Sequence, residues 1–225
     1  MSATTSHPKL TSRFEEALVY AARAHWRQIR KVTPRTGAAD EAADDARAEI
    51  PYVAHLLAVA SLVLENGGGE DEAIAALLHD AIEDAGGLAR RDDIRARFGD
   101  DVVRIVEACS DSDGESKAPW RERKERYLAH LAATSDARVR LVSACDKLHN
   151  ARAVLADYAK SGETLWERFN GQRNGTLWYY RSLADEIARG GPAAIADEIG
   201  RAVSELEELV RAADPDWQPE PPFRP

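Results

Sequence analysis

Cysteine is scarce in this chain, two in 225 residues, and neither is placed to build a scaffold. Cys109 and Cys145 sit in helix-like surroundings, so no disulfide framework is expected, and a reducing, cytoplasmic setting is. No group of cysteines has metal-ligand spacing, which argues against structural zinc. No apolar run approaches the roughly 18 residues of a membrane span. The opening MSATTSHPKL lacks an apolar stretch and predicts no secretory signal. Positive charge is in the minority, with 30 Lys and Arg against 39 Asp and Glu, a net −9. That excess excludes a nucleic-acid coat or an anionic membrane as main partner, while a local basic pocket can still take an anionic small molecule. Alternating apolar and polar positions are almost missing too, so strands are not expected.

What is present is alanine-rich sequence with helical spacing. Ser12 is the expected N-cap, with Glu15 three residues on, of a helix predicted through about Lys31. Residues 32–49 are polar, acidic and alanine-rich and read as an inserted loop. Pro51 suits a first helical position for YVAHLLAVASLVLEN, which stops at glycines 67–69. EDEAIAALLHDAIED follows, ending at Gly86 and Gly87, then a short DDIRARFG helix and DDVVRIVEACS. Beyond a turn-rich stretch at 110–119 come a basic helix from Trp120 to about Ala133 and an apolar helix, ARVRLVSACDKLHNARAVLADYA. Two more are predicted, at 173–189 and from Pro192 to about Ala213. The last segment, 214–225, holds five of the ten prolines and reads as extended and poorly ordered. The expected architecture is one all-α helical bundle over 13–213, with tails at 1–12 and 214–225.

The string HDAIED at 79–84 carries the chemistry. His79 and Asp80 are donors of the kind that bind divalent ions, and Glu83 and Asp84 follow them by four residues each, one helical turn on. Three carboxylates and an imidazole follow the apolar run AIAALL, where uncompensated charge is costly. A helix end that turns polar before Gly86 is the competing reading. His55 and Asp146 weigh against it. His55 lies among apolar neighbours in YVAHLLAVA, where a histidine is usually a satisfied core residue, but Asp146 in LVSACDKLHN is a carboxylate on an apolar helix and harder to explain. Together these donors would make a mixed nitrogen and oxygen site suited to Mn²⁺, Fe²⁺ or Mg²⁺.

The order His55, His79–Asp80, Asp146 resembles the H…HD…D signature of HD phosphohydrolases. The ordered strings YAARAHWRQIRK, IPYVAHLLAVA, AALLHDAIED, FGDDVVRIVEACSD and CDKLHNAR are similar, over about residues 13–160, to the hydrolase domain of RelA/SpoT proteins, most closely the stand-alone small alarmone hydrolases. The resemblance implies a fold of the HD-domain type in which His55, His79, Asp80 and Asp146 hold Mn²⁺. It implies that Glu83 and Asp84 position and activate water, and that the reaction removes the 3′-pyrophosphate of ppGpp or pppGpp. It also implies nucleotide contacts from Arg30, Lys31 and Asn150. Lys117 precedes a second basic cluster, WRERKER at 120–126, for which a solvated helix face is the simpler explanation. Tyr179 in LWYY could stack on a base, with core packing as the alternative. His25 is expected to be a structural partner near the site, His149 a neighbour of the ligands or a packing residue, and His130 a surface residue.

Four features depart from the family pattern: the long acidic insertion, Leu56 where proline is commoner, EACSDSDGESK, which resembles the family's post-helix loop without matching it, and the segment after about residue 160. An HD-type phosphohydrolase for another nucleotide, such as an adenosine alarmone, NADPH or a nucleotide monophosphate, is therefore the second hypothesis. A nucleotide sensor without turnover is the third, and it predicts loss of Glu83 or Asp84, both of which are present. The oligomeric state is open, a homo-oligomer included.

Overall fold

The computed structural model describes residues 10–30, 50–110 and 118–225. The 32–49 insertion, Lys31, Lys117 and most of the N-terminal tail lie outside the described residues. Among those described, the chain forms ten α-helices, one 3-10 segment and no extended strand pairing beyond an isolated bridge between Ile29 and Pro51. None of these helices is long and apolar enough to cross a membrane.

The bundle is organised around α3 (Glu70–Leu78), whose residues Ala73 to Leu78 are entirely buried. It packs against α1 (Ser12–Ala24), α2 (Val53–Glu65), α6 (Asp100–Cys109) and α8 (Ala137–Ser161). Small alanines at 73, 75 and 76 let these neighbours close in, while Ile74, Leu77 and Leu78 fill the space between them. Each such Leu or Ile contributes about 1.5–3 kcal/mol of apolar burial. A short α4 (Ala81–Ala85) and α5 (Gly87–Phe98) connect α3 to α6. α7 (Trp120–Ala133) lies on α9 (Gln172–Gly190), and α10 (Ala193–Ala213) covers α8 and α9.

The turn between α2 and α3 sets the spacing of the site. Gly68 N–H donates to Val63 O at 2.9 Å and Gly67 N–H to Leu64 O at 3.2 Å, the paired closure that ends a helix on a left-handed residue. Gly67 has φ +85°, and a Cβ on Gly68 would lie 2.4 Å from Val63 Cγ1. No larger side chain fits at position 68 without moving α2. Glu72 then accepts the Gly69 N–H at 2.7 Å and starts α3.

Three expectations are corrected. The first helix is capped by Thr11, whose Oγ1 accepts from Arg13 N–H, and it ends at Ala24 rather than running to residue 31. Residues 25–30 instead turn back, and Arg30 N–H donates to Ile50 O while Tyr52 N–H donates to Gln28 O, both at 2.9 Å. These two hydrogen bonds give the segment backbone partners that a continuing helix would have supplied from within. The HDAIED helix is also not continuous, because α3 stops at Leu78 and His79 and Asp80 form a turn before α4.

The proline-rich end is extended, as expected, but it is docked rather than loose. Trp217 is buried with its indole N–H donating to Asn174 Oδ1 at 3.0 Å, Phe223 N–H donates to Ser182 Oγ at 2.8 Å, and Arg121 pairs with Glu220 at 3.0 Å. Apolar anchors at 217 and 223 outweigh the absence of regular structure. Trp217→Ala is therefore expected to destabilise the protein by about 3 kcal/mol. Urea unfolding checks this, and an unchanged midpoint would show that the segment is not part of the folded unit.

Candidate metal centre

Four donors from three places in the chain meet at one point. His55 comes from α2, His79 and Asp80 from the turn after α3, and Asp146 from the middle of α8. His55 Nε2 lies 3.2 Å from His79 Nε2 and 3.2 Å from Asp146 Oδ1. His79 Nε2 is 3.0 Å from Asp80 Oδ2 and 3.4 Å from Asp146 Oδ1, and His55 Nε2 is 3.7 Å from Asp80 Oδ2. Donors of His55, His79 and Asp80 lie within 4.8 Å of one another, and Asp146 approaches both imidazoles as closely as they approach each other. Around an ion at about 2.0–2.2 Å, neighbouring ligand atoms are about 3.0 Å apart in an octahedron and about 3.4 Å apart in a tetrahedron. Four of the five observed separations fall in that range and the fifth, His55 to Asp80, is 3.7 Å, so these residues fit a divalent cation.

The protonation chemistry fits as well. His79 Nδ1 donates to Ala76 O at 2.8 Å, one of the last carbonyls of α3, and so aims Nε2 at the cluster. Burial opposes a charge on His79, but the carboxylates of Asp80 and Asp146 outweigh it and raise its pKa well above the usual histidine range. Burial lowers that of His55, with Asp146 opposing. The two carboxylates are held ionised. Burial works against the charge on Asp80, and His79 reverses it; for Asp146 the reversal comes from Lys147 first and His79 second. This site therefore draws positive charge, which a proton on His79 supplies in the ion-free protein and a divalent ion would supply in its place.

A second layer holds the donors. Tyr52 donates its phenol O–H to Asp80 Oδ2, and burial together with the Asp80 charge pushes that phenol far above its ordinary range, so it remains a donor. His25, the last residue of the α1 turn, stacks on Tyr52 with centroids 5.2 Å apart. Lys147 Nζ donates to Asp146 Oδ2 at 2.6 Å, and Asn150 Nδ2 to Asp146 Oδ1 at 2.6 Å. Arg30 reaches this layer too, with Nη1 3.0 Å from His149 Nδ1 and Nη2 donating to Asn150 Oδ1 at 3.1 Å. His55 Nδ1 and His149 Nδ1 are 2.8 Å apart.

One turn beyond Asp80, Asp84 is exposed, and its Oδ2 accepts from Gln28 Nε2 at 2.8 Å. The Gln28 Oε1 accepts in turn from His25 Nδ1 at 2.6 Å. Glu83 is partly buried beside it on α4. An open pocket of about 350 Å³ adjoins Asp84, walled by Ala24, Trp26, Arg27 and Gln28. A larger groove of about 450 Å³ between α9 and α10 contains none of these donors.

The family scan matches the model described as HD domain over residues 36–177, a span that contains all four donors. The chain belongs to the HD-domain family. It is 35% identical over 139 residues to guanosine-3′,5′-bis(diphosphate) 3′-pyrophosphohydrolase MESH1 of Xenopus tropicalis, covering 61% of this chain and 66% of that one. The Drosophila melanogaster protein of the same name is 34% identical over 144 residues, covering 63% and 69%. Against the longer Haemophilus influenzae protein named for the same activity, the match covers only 15% of the relative. Among solved structures, one described as a metazoan orthologue of SpoT that hydrolyses ppGpp superposes with a TM-score of 0.64 at 27% identity, over 92% of this chain and 98% of that one.

Within this HD domain the sequence-expected residues divide. His55, His79, Asp80 and Asp146 come together, and Glu83 and Asp84 lie beside them. Arg30 and Asn150 are present but bonded to the donors' surroundings. Tyr179 is only 7% exposed and packs among Trp120, Trp178 and Tyr180, so the structure places it in the core. Tyr52, Gln28 and Lys147 are new. The spacing of His25 and Gln28, and of Tyr52 and His55, was visible, but nothing in it said which distant carboxylate each would meet.

Asp80→Ala is expected to weaken divalent-ion binding at least about 100-fold, since it removes a ligand and the partner of Tyr52. Metal binding is also expected to release protons at neutral pH. His79 carries a proton in the ion-free protein because its pKa is raised, and that proton must leave before Nε2 can coordinate. Affinity should accordingly fall as pH falls. Calorimetry in buffers of different ionisation enthalpy measures both effects, and pH-independent binding without proton release would refute the assignment of His79.

Proposed function

We propose that this HD domain is a divalent-metal-dependent phosphohydrolase that removes the 3′-pyrophosphate of ppGpp or pppGpp, leaving GDP or GTP, with Mn²⁺ as the ion. The carrying observation is the convergence of two imidazoles and two carboxylates, from α2, the α3–α4 turn and α8, with Glu83 and Asp84 one turn beyond. The guanosine substrate is supported by the activity in the names of the Xenopus and Drosophila relatives.

A divalent ion held by His55, His79, Asp80 and Asp146 would supply Lewis-acid polarisation of the phosphoryl oxygens. The rest falls to the chain. Asp84, with Oδ2 fixed by Gln28, has Oδ1 left to accept a proton from the attacking water, and Glu83 on the same short helix helps to orient that water. The water oxygen bonds to the phosphorus attached to the ribose, the bond to the 3′ oxygen breaks, the 3′ oxygen takes a proton from solvent as it leaves, and Asp84 returns its own proton to solvent. The pocket beside Asp84 offers an exposed indole at Trp26 with the Arg27 guanidinium 4.2 Å from its ring centre. An aromatic face beside a cation suits a nucleotide on an otherwise acidic protein. Lys31 and Lys117 are further contacts to the phosphates in this reading.

Chromatographic time courses of metal-free protein with ppGpp, with and without Mn²⁺, should show Mn²⁺-dependent GDP and pyrophosphate. Running pppGpp, ppApp and NADPH in parallel decides the substrate, and turnover confined to another nucleotide would overturn the guanosine reading. Glu83→Gln and Asp84→Asn are expected to keep metal and nucleotide binding and to lose about 10²–10⁴ in kcat. Full activity in both variants would remove them from the mechanism.

A further inference from the structure

Imidazole and carboxamide are ambiguous groups. A neutral imidazole carries its proton on either nitrogen, and an amide can present either end to a neighbour. Two such groups stand directly behind the metal donors here, His149 behind His55 and Asn150 behind Asp146. Both touch one side chain, Arg30.

A guanidinium has donors only. Arg30 Nη1, 3.0 Å from His149 Nδ1, therefore requires that nitrogen to be the acceptor. His55 Nδ1 faces the same atom at 2.8 Å and must then be its donor, which leaves His55 Nε2 bare toward His79, Asp80 and Asp146. Arg30 Nη2 likewise donates to Asn150 Oδ1, which turns the Nδ2 end toward Asp146 Oδ1. The opposite arrangement has its own attraction in the ion-free protein. A proton on His55 Nε2 could bond to the Asp146 carboxylate 3.2 Å away and would block coordination. Arg30 opposes that from the other side of the ring.

We propose that Arg30 is a positioning residue for the metal site, selecting the His55 tautomer through His149 and the orientation of Asn150, so that the donors meet an incoming ion with lone pairs. This rests on the metal-site reading above and adds to it a residue outside the span of the family match, which begins at residue 36. Arg30 is well placed for the task. Its backbone N–H is tied to Ile50 O at 2.9 Å beside the Ile29–Pro51 bridge, so the guanidinium is delivered from a pinned segment. A contact with nucleotide alone would need neither hydrogen bond.

The test measures Mn²⁺ binding by calorimetry on nucleotide-free protein, comparing wild type, Arg30→Met, Arg30→Lys and Asn150→Leu. Arg30→Met should bind Mn²⁺ about tenfold or more weakly, as loss of groups behind metal ligands does. Arg30→Lys should be intermediate, because an ammonium cannot span both acceptors in the same planar fork. Nitrogen NMR of the ion-free wild type, at alkaline pH where these imidazoles are neutral, should find His55 protonated on Nδ1 and His149 bare on Nδ1. This readout does not depend on any variant folding. Wild-type protein that binds no divalent ion would overturn the metal site itself. Normal binding by wild type and Arg30→Met alike, or a His55 proton on Nε2, would leave the metal site standing and overturn the role of Arg30.

Discussion

Two imidazoles 3.2 Å apart, each within 4 Å of the same two carboxylates and most of them buried, cannot be stable without a compensating positive charge. That constraint explains much of the surrounding architecture. α3 is apolar from Ala73 to Leu78 and then breaks, so the chain leaves the core at the point where His79 and Asp80 must face inward. The break leaves a carbonyl of α3 to accept from His79 Nδ1, and the same hydrogen bond aims the other ring nitrogen at the cluster. A continuous helix through HDAIED would have placed Glu83 above His79 and Asp84 above Asp80, but would not have given the turn its separate geometry.

The segment from His25 to Arg30 is the second organising element. It is too short to pack a core, yet it is pinned to residues 50–52 by backbone hydrogen bonds and sends three side chains to three different carboxylate environments. His25 stacks on Tyr52, which holds Asp80; Gln28 holds Asp84; Arg30 stands behind His55 and Asp146. Ending α1 at Ala24 is what makes this possible. Had the helix continued to residue 31, side chains at 25, 28 and 30 would have pointed in directions set by a 100° step rather than by the needs of the site.

Most helices were legible in the sequence because their apolar spacing is strong, and α7 and α10 were placed within a residue or so. The four metal donors were legible for a different reason. Charged or ionisable groups inside apolar helices are conspicuous by their cost, and Asp146 in particular has no ordinary explanation. What was hidden depended on contacts between residues far apart in the chain. The end of α1 is decided by hydrogen bonds to residues 50–52, the docking of the C-terminal segment by pockets for Trp217 and Phe223, and the burial of Tyr179 by its ring neighbours at 120, 178 and 180. Local pattern contains none of these partners. Gln28 and Lys147 were missed in the same way: each is an unremarkable polar residue until the carboxylate 56 positions away, or the one next to it, is seen in space.

The carboxylates of the site are treated differently by their neighbours, and the difference matches the tasks proposed for them above. Asp146 meets the half-buried ammonium of Lys147 as well as the Asn150 amide, so it stays ionised, as the metal ligand proposed above must. Asp80 is held by a phenol donor and by His79, which serves the same end. Asp84 has a carboxamide, Gln28, on Oδ2. A neutral amide fixes the direction of a carboxylate without placing a full charge against it. An arginine at position 28 would orient Asp84 as well or better but would set a positive charge beside it. Under the proposed mechanism, the Lys147 ammonium falls to a metal ligand and a neutral donor to the residue that takes the proton, a division that suits a hydrolytic site.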